Sequence, residues 1–506
     1  MKNDYLDMIH FHDLYPKLAE KAAIKDFHGE YSYRELNQLA NAITKELVSL
    51  GVKRQDVVGI HMENSMEFIA SILACLRLAA IFVPFAKNNP IERSTKIYNS
   101  CNPKVVLSKS DIVSTGFTTL ACTLVFVDEL TPIDELSDVS FPQYDEKDIA
   151  YIIYTSGSTG EPKGVAIRIE SLMNYVSDTV DTLCFKDDLV TLNMTSFAFD
   201  GALTGIFCFL FCRGKIVIRS NPFLRPQKFF NYLCDEEITD IGCSPIQMEM
   251  LAKALECSEN RTAFQVKTIA VGGEELPAKY AKKILESVPG IRILNRYGPT
   301  ETTIVSSCFE VTMDFLESEY SSVPIGTPLK NVFYKVVRED GSVADDNEIG
   351  ELYIGGIQVM HSYWNDDDLT DEYIEIDSEG MRWYKTKDLV RHSVDNVYEF
   401  IGRKDDMIKI YGNRIYLSEV EHALIRLNNI EQACCLTTSD SQGNKQIVAI
   451  IKSNVICDEM QVKSMLKDAI PMYMIPYKII QIDSFPTNNS GKVDRNKLRD
   501  IINLQV

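Results

Sequence analysis

The sequence predicts an α/β protein with a large N-terminal domain and a small C-terminal one. Three observations carry this. Helical and strand patterns alternate through roughly the first 400 residues, which implies mixed, mainly parallel sheets flanked by helices. Near residue 325 the pattern changes to paired strands around an Asp-Gly turn, which predicts a small antiparallel, barrel-like subdomain. The last hundred residues alternate again over a short length, as a small α+β unit would. A chain of 506 residues is also longer than one core ordinarily serves.

The elements follow in order. "YRELNQLANAITKELVSLG" (Tyr33 to Gly51) places apolar residues at helical spacing and stops at a glycine. "DVVGIHM" reads as a buried strand, "SMEFIASILACLRLA" as a helix, and "IFVPF", "PKVVLSK" and "TLVFVDE" as short strands. "NVFYKVVREDGSVADDNEIGELYIGG" reads as antiparallel strands. Beyond "FIGRKDDMIKIYGNRI", "SEVEHALIRL" reads as a capped helix, "QIVAIIKS" as a strand, "EMQVKSMLKDAI" as a helix and "KIIQIDSF" as a strand. The boundary falls at Lys404–Asp405, giving domains 1–404 and 405–506.

Composition excludes several classes. Hydrophobic residues make up 45% and charged residues 25%, ordinary for a globular chain. A formal net charge of -20 argues against a nucleic-acid backbone or an anionic membrane surface as main partner. The N-terminal stretch lacks the apolar segment and cleavage site of a signal peptide. The most apolar run, "FIASILACLRLAAIFVPF", is interrupted by Arg77 and closed by a proline, so it reads as a helix and strand and not as a membrane span. Thirteen cysteines are scattered without a Cys-x-x-Cys. Cys208/Cys212 and Cys434/Cys435 lie in apolar runs and read as buried thiols of a cytoplasmic protein.

"YIIYTSGSTGEPKGV" (Tyr151 to Val165) sets a polar, glycine-rich loop directly after a strand. Such a loop offers backbone N–H groups and hydroxyls to phosphate oxygens, and a lysine adds charge. Thr155, Ser156, Gly157, Ser158, Thr159 and Gly160 would form that nest, with Lys163 as the cation. The spacing is not that of a Walker A loop. A plain surface loop is the alternative.

That stretch closely resembles the signature of the adenylate-forming superfamily: acyl-CoA synthetases, luciferases and peptide-synthetase adenylation domains. Further family motifs follow in order: "NRYGPTETT" (Asn295 to Thr303), "GELYIGG" (Gly350 to Gly356), "WYKTKDLV" with Asp388, "GRKDDMIKIYGNRI" (Gly402 to Ile415) and "NNSGKVDR" with Lys492. The resemblance implies that the small C-terminal α+β unit is mobile, and it implies two half-reactions. A carboxylic acid attacks the α-phosphate of ATP to give an acyl-adenylate and pyrophosphate, and a thiol then takes the acyl group.

The resemblance also implies roles. Tyr297 would stack on adenine, and Gly272-Gly273-Glu274 would let backbone approach it. Asn295 and Gly298 belong to the same nucleotide-binding motif. Thr300 would bind the α-phosphate and Glu301 the Mg²⁺ ion, whose other ligands would be phosphate oxygens. Asp388 would accept hydrogen bonds from the ribose hydroxyls. The usual Arg-Thr-Gly-Asp reads Lys385-Thr386-Lys387-Asp388 here, which puts the local turn in question. Arg403 is a ribose or phosphate candidate. Lys492 would stabilise charge in the transition state, with Thr155 and Lys163 beside it, and Asp405 matches the hinge.

"SFAFDGALTGIF" bears on the acid. Family amino-acid activators place an aspartate after the aromatic residue, where it pairs with the substrate α-ammonium. This chain has Phe199-Asp200, and a buried aspartate needs a cationic partner. The remaining pocket positions, by resemblance, are Gly201, Thr204, Gly242, Ile269, Val271, Arg296, Ile304 and Val305. Arg296 either meets an acidic or polar substrate group or points to solvent. No phosphopantetheine-serine motif follows Lys492, so the expectation is a free-standing enzyme that loads a separate phosphopantetheine carrier protein with an amino acid. In this it is similar to D-alanine–carrier-protein ligases and lone adenylation proteins, although the D-alanine ligases carry a pocket cysteine where this chain has Gly272 and differ in the motif after the aspartate. An acyl- or aryl-CoA ligase and a non-catalytic nucleotide-binding regulator are the alternatives. Asp200 speaks against the first; Lys492, Glu301 and Lys163 speak against the second.

Overall fold

The computed structural model describes residues 2–10, 18–112, 122–136, 139–156, 161–219, 225–258, 262–317, 322–393, 397–405, 407–427, 429–440, 443–486 and 495–505. The chain forms two compact units: residues 1–87, 100–154 and 164–404 in one, and 88–99, 155–163 and 405–506 in the other. Two short segments that the sequence reading assigned to the large domain therefore cluster with the C-terminal residues.

The first unit is layered around two large sheets. Across the nine-stranded sheet the order is Thr327–Pro328, Ser307–Val311, Arg292–Tyr297, Thr268–Gly272, Asp240–Cys243, Val190–Asn193, Lys215–Ile218, Ala22–Lys25 and Glu30–Ser32. Its central strands pair in parallel. Parallel pairing follows from the helices between them, which carry the chain back to the starting edge each time. From Val190–Asn193 the chain runs first to Lys215–Ile218 on one side, then to Asp240–Cys243 on the other. The order reverses there, and in open α/β sheets the crevice outside the carboxyl ends of such strands is where ligands bind.

A seven-stranded sheet centres on Ile81–Phe85, Val57–His61 and Ile149–Thr155, strands whose residues are almost all buried. The Tyr33–Ser49 helix begins with a capping box, Ser32 and Glu35 satisfying each other's backbone N–H. Arg77, which interrupts the longest apolar run, is buried and spends its nitrogens on Ile9 O, Asn41 Oδ1 and Asn37 Oδ1 (2.7–2.8 Å). Among the described residues no helix is long and apolar enough to cross a membrane. The antiparallel subdomain is a five-stranded sheet in which Val332–Val337 pairs with Ile349–Gly356 around Asp340-Gly341, and Arg382–His392 pairs on both sides.

The second unit has a three-stranded sheet of Ile430–Ser439, Lys445–Ser453 and Lys478–Gln481, covered by the helices Leu417–Ile425 and Glu459–Leu466. The expected cap of the first helix is absent: it starts after Tyr416, with no side-chain cap bond. Residues 88–99 join this unit through Arg93, whose guanidinium meets Glu419 at 2.6 Å with both side chains buried. None of the thirteen cysteines is in a disulfide; Cys208, Cys434 and Cys435 are buried and Cys212 is half-buried.

Candidate active site

The turn after the Arg292–Tyr297 strand shows why its residues are what they are. A Cβ on Gly298 would lie 2.5 Å from the Val305 Cα and 2.6 Å from the Ile304 carbonyl oxygen, so only glycine fits. Thr300 and Glu301 follow in a single 3₁₀ turn, both buried. Glu301 Oε1 accepts a hydrogen bond from the Tyr363 phenol (3.0 Å). Thr303 and Ile304 then take φ of 60° and 70°. Two consecutive β-branched residues in the left-handed region cost energy that the surroundings must offset. Gln358, fully buried, supplies the restraint. Its amide donates to Thr302 O (3.2 Å) and Val305 O (2.7 Å), and its carbonyl accepts from Asn174 (2.9 Å). The sequence reading passed over this residue.

Asp388 is aimed by a bulge. Opposite Leu352, between the pairs Glu351↔Leu389 and Tyr353↔Lys385, the Arg382–His392 strand carries Thr386, Lys387 and Asp388. Lys387, standing where the family has glycine, keeps the left-handed turn at φ 61°. It is held there: its N–H donates to Glu351 Oε1 (3.0 Å) and its ammonium to the Tyr373 phenol (2.6 Å). Glu351 Oε2 also takes the Lys404 ammonium at 3.0 Å. One Asp388 oxygen accepts from the Tyr297 phenol and the other from the Arg403 guanidinium. Three residues singled out separately are thus one connected cluster. Burial and the Asp388 charge push the Tyr297 phenol well up, so it stays a donor.

The pleat of the nine-stranded sheet sorts the pocket candidates. Gly242 pairs with Ala270, and Gly272 with Arg296, so these residues share one face with Asp240 and Thr268. Ile269 and Val271 lie on the other face, buried in a core with Met248, Leu251, Ala281 and Ile284. Their assignment to the pocket is corrected: side chains alternate, so the residues turned toward Gly242 and Arg296 are Ala270 and Gly272. Asn295 also turns away, and it donates both amide protons to Val323 O (3.1 Å) and Pro324 O (2.7 Å). Through these two bonds its amide group anchors backbone beside the Arg292–Tyr297 strand.

The Asp200–Cys212 helix starts at the carboxyl end of the same sheet, with Phe199 as its N-cap. Asp200 is half-buried, not buried as expected, and its Oδ1 accepts from Gly201 N (2.7 Å). Gly201 and Gly242 are exposed, and a Cβ on either would meet nothing within 4 Å. An exposed glycine in mid-sheet marks open space over the strand. Thr204 bonds the buried Tyr175 phenol (2.6 Å). Ile304 and Val305 are buried in the core cluster that includes Tyr297. Tyr151, which the sequence reading treated only as a strand residue, has a buried phenol without a hydrogen bond, and burial and the Asp200 charge raise it.

In the second unit Thr155 ends its strand half-buried, Ser156 Oγ donates to Arg414 O (2.7 Å), and the buried Lys163 ammonium lies 5.5 Å from the Tyr416 ring centre. Asp405 Oδ1 accepts from Met407 N (3.3 Å). Gly157, Ser158, Thr159, Gly160 and Lys492 lie outside the described residues. Gly273, at φ 90°, needs glycine's freedom, and Gly272 lacks room for a side chain because a Cβ would sit 2.8 Å from Arg296 O.

The model of the AMP-binding enzyme family matches residues 15–364. Bacitracin synthase 3 of Bacillus licheniformis is 32% identical over 501 residues, covering 96% of this chain and 8% of that protein. The chain spans about a tenth of the length of the curated relatives it matches. Among solved structures, PA1221, a nonribosomal peptide synthetase protein with adenylation and carrier domains, aligns with a TM-score of 0.84 at 23% identity, over 99% of this chain and 86% of that one. The o-succinylbenzoate CoA synthetase of Bacillus subtilis aligns with a TM-score of 0.84 at 21% identity, over 98% of each chain. At these identities the structural likeness is one of fold.

Proposed function

Because the chain belongs to the AMP-binding enzyme family, we propose that it is an amino-acid adenylating ligase. It would join an amino acid to AMP with release of pyrophosphate, then pass the aminoacyl group to the phosphopantetheine thiol of a carrier protein. One observation carries the amino-acid part: Asp200 opens its helix at the carboxyl end of the sheet, where the strand order reverses, on a floor that Gly201 and Gly242 leave without side chains.

The residues present fit ATP. Each Asp388 oxygen has a second lone pair free of Tyr297 and Arg403, enough for two ribose hydroxyls. Gly272-Gly273-Glu274 would admit the adenine, beside Tyr297. Thr300 and Glu301 would face the phosphates, and Glu301 would supply one carboxylate to a Mg²⁺ ion. Bound together, ATP and Mg²⁺ supply an electrophilic phosphorus and a good leaving group. The chain holds the acid in line: Asp200 takes the ammonium, which orients the carboxylate. Lys492 would balance the charge that gathers as it attacks, and Lys163 with its loop would hold the departing phosphates. Asp405 would be the hinge between half-reactions, with residues 1–404 as the large domain and 405–506 as the small one.

Pyrophosphate exchange with ATP across amino acids and their des-amino analogues tests the reading. Asp200→Asn removes the charge and keeps the shape. For a half-buried pair the amino acid should lose about 2 kcal/mol, roughly thirtyfold, relative to its des-amino analogue. An equal fall for both makes Asp200 structural. Exchange with des-amino acids alone makes the chain an acyl- or aryl-acid ligase.

A further inference from the structure

Arg296 is a buried guanidinium that the protein leaves largely unsatisfied. Of its donors one is placed: Nη2 bonds Thr179 Oγ1 at 2.7 Å. The guanidinium carbon lies 5.4 Å from the Tyr175 ring centre, and Nε is buried without a hydrogen bond. Among the described residues no carboxylate oxygen lies within 4.0 Å of it. Other buried arginines are provided for. Arg93 meets the Glu419 carboxylate, and even the half-buried Arg403 meets one, that of Asp388. Arg77 has none, yet puts each of its three nitrogens on an acceptor. A buried charge lacking both kinds of compensation is costly and calls for a partner from outside the chain.

The position says which part of a ligand would meet it. Arg296 shares its face with Gly242 and Ala270, the open floor opposite Asp200. Its guanidinium is drawn toward Thr179 in the Ile169–Leu183 helix, whose Thr182 carbonyl meets Arg292 (3.1 Å) at the start of the same strand. It therefore points toward the amino end of the strand, away from the Gly298–Glu301 turn where the nucleotide would react. A group reaching it has passed Asp200 and gone deeper. The walls there are polar: the Thr204 and Tyr175 hydroxyls, and Asp240. Asp240 is a poor counter-charge. Its Oδ1 is spent on Thr191 (3.0 Å), its Oδ2 is buried without a donor, and burial pushes its carboxyl up to about 7.

We propose that the amino acid activated here carries a side-chain carboxylate, and that Arg296 is the residue that selects it. This rests on the reading of the pocket as an amino-acid site. The site is then bipolar: Asp200 takes the α-ammonium at the mouth and Arg296 the distal anion at the floor, while the reacting carboxylate stays toward the nucleotide.

The test compares, on the full chain, aspartate, glutamate and 2-aminoadipate in both enantiomers with their side-chain amides and apolar isosteres. Pyrophosphate exchange and calorimetric titration without nucleotide are both read. At least one acidic amino acid should exceed its amide and its apolar isostere by tenfold or more in both. Arg296→Met should lower its exchange by at least a hundredfold and erase the preference over the amide. If that variant does not fold, the wild-type ratios and Arg296→Lys, which keeps the charge, decide. A best substrate with an amide or apolar side chain overturns the selection by Arg296 and leaves the amino-acid reading standing. Exchange confined to des-amino acids overturns both.

Discussion

Replacing Gln358 by methionine, nearly its equal in volume and flexibility, isolates what its amide does for the turn behind Glu301. The variant leaves the Thr302 and Val305 carbonyls without their Gln358 donor and the Asn174 amide without one of its acceptors. At about 1 kcal/mol for each interaction lost in a buried place, the change costs about 3 kcal/mol. The consequence should not stop at stability. Thr303 and Ile304 hold left-handed torsions against their own preference, at a cost of about 1–3 kcal/mol each. Released, the turn should relax toward ordinary torsions and carry Thr300 and Glu301 with it. Urea unfolding measures the first effect. The Mg²⁺ dependence of pyrophosphate exchange measures the second, which should shift to higher concentration under conditions where the variant is fully folded. A stability loss below about 1 kcal/mol, or an unchanged Mg²⁺ dependence, refutes the reasoning.

Two other perturbations probe the scaffold. His61 is buried in its strand, and desolvation, helped by the Lys87 charge, pushes it down to about 4. The unfolded chain binds the proton from about pH 6.5 downward and the native one only near 4, so stability is full above 6.5 and falls as pH drops. Between pH 7 and pH 5 the loss due to this group is about 2 kcal/mol, and His61→Gln should flatten that part of the curve; an unflattened one refutes the assignment. At Lys387, glycine should recover about 1 kcal/mol of left-handed cost and give up a similar amount in contacts with Tyr373, staying within about 0.5 kcal/mol of wild type, whereas valine should lose about 2 kcal/mol. Thermal unfolding of both variants checks this, and equal losses would show that the backbone torsion is not the cause.

The sequence spoke clearly where a polar or conformational signal accompanied the pattern. The glycine stop at Gly51, φ 73°, announces the end of the Tyr33–Ser49 helix, and Asp340-Gly341 announces the hairpin that Gly341 makes at φ 87°. The motif around Asp388 was legible, but the bulge that aims it was not: it depends on Glu351 reaching across the sheet to Lys387. The pleat at 268–272 was illegible for a different reason. "TIAVG" is apolar or small at nearly every position because parallel strands are covered on both faces, so alternation carries no polarity to tell one face from the other. Only pairing with the neighbouring strands assigns Ala270 and Gly272 to the face of Gly242 and Arg296. Gln358 is a lone polar residue in "GGIQVM", and no spacing points to the carbonyls it serves. The Ile430–Ser439 strand went unnoticed because "IEQACCLTTS" alternates weakly; its long register with Lys445–Ser453 defines it.

Two sets of glycines in this molecule stand in contrast. At Gly298, Gly326 and Gly356 a methyl group would collide with backbone, at 2.0–2.5 Å, so these positions are closed to change. At Gly201 and Gly242 the same methyl group meets nothing. New side chains can therefore start from those two points without a backbone clash. On the function proposed above, substrate preference and architecture rest on separate residues, and a lineage, or a laboratory selection, can revise the first while leaving the second intact.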